Sequence, residues 1–83
     1  MSEIGKIVIM LTLDLHGMDV FKATAVVINK IYEFEENEWA FQLNIICGKG
    51  TGALRNLVED ILERETNYVF EYDERSATFW VKK

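Results

Sequence analysis

The chain has 83 residues, 49% of them apolar, a net charge of −5, one cysteine and no proline. That length allows a single domain over 1–83, and the apolar share excludes a disordered segment. One thiol excludes a disulfide framework and no stretch is long enough to span a membrane, so the reducing cytoplasm is the simplest compartment.

Residues 1–5 read as a loose start. The initial methionine suggests a stand-alone chain. Lys6 to Leu15 is a near-continuous run of Ile, Val and Leu, which predicts a strand buried on both faces. Within it, Ile7 to Leu13 resembles a short signal segment but lacks a small-residue cleavage site. Gly17 ends the strand. Asp19 is the expected N-cap of a helix reaching about Asn37, with Met18 as its staple. Phe21, Ala25, Ile28 and Ile31/Tyr32 recur at helical spacing as its apolar stripe, widened by Val20, Val27 and Phe34.

Trp39 to Cys47 is the second predicted strand. Glycines 48, 50 and 52 follow, and Thr51 is the expected N-cap of a second helix. Leu54, Leu57, Val58, Ile61 and Leu62 mark its buried stripe, and Asn67 its end. Tyr68–Tyr72 and Ala77–Val81 predict a β-hairpin around Asp73-Glu74-Arg75-Ser76. The order is βαβαββ, an α/β pattern with right-handed crossovers between parallel strands and an antiparallel strand added by the hairpin.

Two motifs fall where a strand hands over to a helix. In Leu13-Asp14-Leu15-His16-Gly17, Asp14 and His16 are two apart and point the same way. Histidine exchanges protons near neutrality, and a carboxylate beside it orients the ring, which suits acid/base work at a phosphate. The alternative is a satisfied histidine at a strand end. In Gly48-Lys49-Gly50-Thr51-Gly52, backbone amides, a helix start and a lysine suit an anion, with Arg55 one turn on. The spacing fits neither a P-loop nor the dinucleotide fingerprint. The alternative is a tight turn needing glycine for its angles.

Cys47 beside His16 makes a poor metal shell, and a buried thiol is ordinarily a small hydrophobe. The aromatic residues of the strands are expected as core or edge cover before base-stacking surfaces. In open α/β sheets ligands gather at the carboxyl ends of parallel strands, where both motifs lie. The acidic total counts against indiscriminate nucleic-acid binding. However, the Glu33–Glu38 block and the Asp60–Glu65 group belong at the far pole, with Asp73 and Glu74 as the exceptions.

These motifs resemble those of the Smr (small MutS-related) domain family. Its L-D-L-H-G is matched in full by residues 13–17, and most of its H-G-K-G-T-G-x-L by residues 48–54. The resemblance covers residue 11 to the C-terminus. It implies a two-layer sandwich with a mixed four-stranded sheet and two helices, similar to the C-terminal domain of bacterial translation initiation factor three. It also implies binding of RNA or of branched or single-stranded DNA, often with endonuclease activity, and in some members a link to the ribosome.

Carried over residue by residue, Asp14 and His16 become the cleavage pair, and Gly48, Lys49, Gly50, Thr51 and Gly52 grip the backbone. Two departures stand out. Cys47 occupies a position where the family usually has histidine, and the last hairpin loop is shorter than is usual. The expectation is an endonuclease with no obligatory metal or other cofactor. Its general acid is left open between Lys49 and a water, and RNA is favoured because its 2′-hydroxyl is an internal nucleophile. The alternatives are a non-catalytic nucleic-acid or ribosome binding module, in which Lys49 and Arg55 carry the affinity, and a small-molecule phosphate binder.

Overall fold

The computed structural model describes residues 8–83. The expected loose start at 1–5, and Lys6 and Ile7 of the first run, lie outside the described residues. The elements follow the predicted order: β1 (Ile9–Asp14), α1 (Val20–Glu36), β2 (Ala40–Ile46), α2 (Ala53–Glu65), β3 (Val69–Asp73) and β4 (Thr78–Lys82).

The four strands form one mixed sheet in the order β1-β2-β4-β3. β1 and β2 are parallel, and β4 lies antiparallel between β2 and β3. β1, β2 and β3 therefore all end at one pole, where the β3–β4 turn also lies. The crossovers β1-α1-β2 and β2-α2-β3 step the same way across the sheet. Right-handed connections of that kind deliver both helices to one face. Between sheet and helices lies a single core that includes Leu15, Val27, Phe34, Leu43, Ile45, Val58, Leu62, Phe79 and Val81.

Among the described residues no layer covers the other face of the sheet. β1 alternates half-buried and exposed residues, with Met10 and Thr12 outward, and is not buried on both sides. The continuous apolar run gave no sign of this, because Met10 and Val8 are apolar yet exposed. Trp80 and Asn44 continue the uncovered face in register with Thr12.

α1 begins as expected: Asp19 caps it by accepting from the Lys22 amide at 2.8 Å, and Asn37 closes it. Its buried stripe is Ala23, Val27, Ile31 and Phe34. Of the predicted stripe, Ile31 and the flanking Val27 and Phe34 are buried, whereas Val20, Phe21, Ala25, Ile28 and Tyr32 are exposed. Both sets share the 3.6 period, and Ala23 lets the helix approach the sheet where Phe21 would hold it off. α2 buries Val58, Ile61 and Leu62 as predicted, with Leu54 and Leu57 packed against the core. Its N-cap is Gly52, in the left-handed region at φ 94°, and not Thr51. No described helix is long and apolar enough to cross a membrane.

Candidate functional site

An open cleft of about 400 Å³ lies at the pole where β1 and β2 end. Two segments line it: residues 16–20, leading into α1, and residues 47–55, leading into α2. Each segment follows a parallel strand, so the topology itself brings the two motifs together.

On the first segment, Leu15 is anchored: its side chain is fully buried and its amide donates to the Ile46 carbonyl at 2.8 Å. His16 then leaves the sheet with its side chain 74% exposed at the cleft. Asp14 does not line the cleft; it sits behind His16, at the end of the uncovered face. Its Oδ1 accepts the His16 backbone amide at 3.0 Å and lies 3.4 Å from Nδ1 of the ring. One carboxylate oxygen thus holds the backbone turn and stands beside the imidazole.

On the second segment, Gly48 lies against His16. A Cβ built at position 48 would stand 2.9 Å from the His16 Cβ, and φ is +81°. Only glycine lets these two segments touch. Gly52 starts α2 without any side-chain cap, and Thr51 Oγ1 reaches the Ala53 amide only at 3.4 Å. First-turn amides of α2 are therefore left open toward the cleft, where the helix dipole is positive. The start of α1 differs, since Asp19 already fills that role. The cleft thus has one anion-receptive helix end, and Lys49 beside it is exposed.

Arg55 is held more tightly than its sequence position suggests. Its guanidinium lies 4.0 Å from the centre of the Tyr72 ring and 3.8 Å from the Glu74 carboxylate. Both approach from the β3–β4 hairpin, and their contacts with Arg55 leave no local signal in the sequence. Asp73 and Glu74 do return to the motif pole, as the βαβαββ order predicted. Glu74 partly offsets Arg55, while Asp73 is occupied with the Arg75 amide and the Ser76 hydroxyl.

Cys47 forms part of the cleft floor but is buried, and its amide donates to the Ala77 carbonyl. Burial pushes its thiol up to about 11, against a smaller opposing pull from Arg55. It is therefore a neutral thiol near pH 7, without the thiolate that nucleophilic attack or metal binding requires. Among the described residues no three His, Cys, Asp or Glu side chains converge where a metal ion would sit.

A family profile described as Smr domain matches residues 13–78, which spans both motifs, both helices, β2 and β3. The chain belongs to the Smr domain family. Smr domains are known for nucleic-acid binding and nicking endonuclease activity. The chain is also similar to the crystal structure of the Smr domain of Thermus thermophilus MutS2, at 26% identity and a TM-score of 0.77. That match covers 87% of this chain and 95% of the other. Comparison with curated proteins gave no significant match. The two-layer, mixed four-stranded architecture is thus that of a Smr domain.

Proposed function

We propose that this Smr domain binds nucleic acid at the cleft and cleaves a phosphodiester bond there as an endonuclease. The observation that carries this reading is the contact between Gly48 and His16, which joins a proton-transfer group to an anion cradle. The phosphate sits on the open amides at the start of α2, with Lys49 supplying a full charge. His16 takes the proton from the attacking oxygen, and Asp14 orients the ring and stabilises the imidazolium that results. The new P–O bond forms as the opposite P–O ester bond breaks, and the leaving oxygen takes its proton from Lys49 or a water. One histidine suits RNA, whose 2′-hydroxyl is already held next to the phosphate.

A second reading is a non-cleaving nucleic-acid or ribosome binding module. The neutral, buried Cys47 where the family usually has histidine favours it. Incubating the purified domain with labelled single-stranded RNA and branched DNA, with and without chelator, separates the two. Endonuclease activity is expected, and His16→Ala and Asp14→Asn should abolish it with an unchanged circular dichroism spectrum. Asparagine keeps an acceptor for the His16 amide and removes the charge. Undiminished cleavage by both variants would sink the catalytic assignment. Salt-sensitive binding that falls with Lys49→Ala, and no cleavage by the wild type, would select the binding module.

A further inference from the structure

Phe21 is the most exposed large apolar side chain among the described residues, at 88%. It stands in the first turn of α1, directly after Asp19 and Val20, which line the cleft. Its azimuth follows from Ile28, seven residues and two turns on, which shares its helix face. Ile28 borders a crevice that Glu65 of α2 also lines, so this face looks toward α2. At the motif pole the same side of α1 is where residues 48–52 and the first turn of α2 lie. Phe21 is not itself part of the cleft lining; it follows directly on Asp19 and Val20, which are, and shares a helix face with Ile28 on the α2 side.

Lys22, next to it, is also misplaced by local rules. The first turn of a helix favours acidic side chains, yet neither helix has one there, and Lys22 and Arg55 each occupy the third helical position. A bare aromatic ring beside a cation on the wrong end of a helix dipole helps neither burial nor helix stability. Both anomalies are resolved by a ligand offering flat uncharged rings on an anionic backbone.

We propose that Phe21 is a stacking platform for an unpaired base flanking the phosphate in the cleft, with Lys22 contacting the adjoining backbone. The substrate is then single-stranded at that point, because duplex bases are stacked on one another and present no face to Phe21. This inference rests on the nucleic-acid reading of the cleft.

The test is equilibrium binding of a labelled single-stranded oligonucleotide and of its duplex, in a His16→Ala background that prevents turnover. Phe21→Ala is expected to weaken single-strand binding about tenfold, Phe21→Trp to restore it, and the duplex to be unaffected by either. Tyr32→Ala, on the same helix face but far from the cleft, is expected to change nothing. Unchanged single-strand affinity in Phe21→Ala would overturn the platform, as would an equal loss for duplex or failure of Trp to rescue. Lys49→Ala run in parallel separates the layers of inference. If it weakens binding and Phe21→Ala does not, the cleft reading stands and the platform falls. Binding indifferent to both overturns the cleft reading and the platform together.

Discussion

At residue scale the tightest constraint is the approach of Gly48 to His16. Gly48→Ala must move the ring or the loop and adopt a left-handed backbone, at a cost of about 1–3 kcal/mol. Gly50→Ala meets nothing within 4 Å and has no such backbone demand, so it serves as the control. Urea denaturation should show the loss for position 48 alone, and substrate binding should fall with it. Cys47 gives a pH prediction. Its folded-state thiol titrates near 11, above its ordinary 9.0, so the stabilisation is complete below pH 9 and is lost as pH climbs through 11. Over that window the wild type should lose on the order of 2 kcal/mol more than Cys47→Ala, measured by denaturant titration at pH 8 and pH 11. The Cys47 thiol should also resist alkylation at pH 8 until the chain unfolds. Both motif residues and the buried cysteine were visible in the sequence. Chain order put Glu74 at the motif pole, but its contact with Arg55, and that of Tyr72, was not legible, because nothing local links positions 55, 72 and 74.

At the scale of elements, the two helix starts differ in a way that mutation can read. Asp19→Ala removes the acceptor for the Lys22 amide and should cost about 1 kcal/mol. Thr51→Ala removes only a long contact from a residue that is not the cap, and should stay within about 0.5 kcal/mol. Thermal melts of the two variants would show the contrast; an equal loss would mean that Thr51 caps α2 after all. The sequence marked the first cap correctly because Asp19 caps through a side chain, with its acceptor three residues before the Lys22 amide. It misled at the second because Gly52 caps through backbone conformation and leaves no side-chain signal. The buried face of α1 was only partly legible, for a different reason. Its apolar residues form two stripes of the same period, and only the entry through Gly17 and Asp19 decides which meets the sheet.

On the scale of the whole molecule, charge is sorted by topology. Both helices start at the cleft, and the 17 residues of α1 carry its acidic end about 25 Å away. Glu74 is the carboxylate that returns to Arg55. Glu74→Gln should therefore raise oligonucleotide affinity about twofold to fivefold at low salt, with the gain fading as ionic strength rises. Binding isotherms over a salt series test this, and an unchanged affinity would place Arg55 outside the bound surface. The family resemblance implied two layers, but the residues of β1 did not, since an apolar strand reads the same whether one face or both are covered. The uncovered sheet face has an optical consequence. Trp80 stands on it and Trp39 at the end of β2 remote from the cleft, 43% and 52% exposed in the folded protein. Both indoles are about half exposed and remote from the cleft, so their emission should ignore whatever occupies it. A fluorophore that reports on occupancy has to be brought to the other pole, and an indole at position 21 would do that.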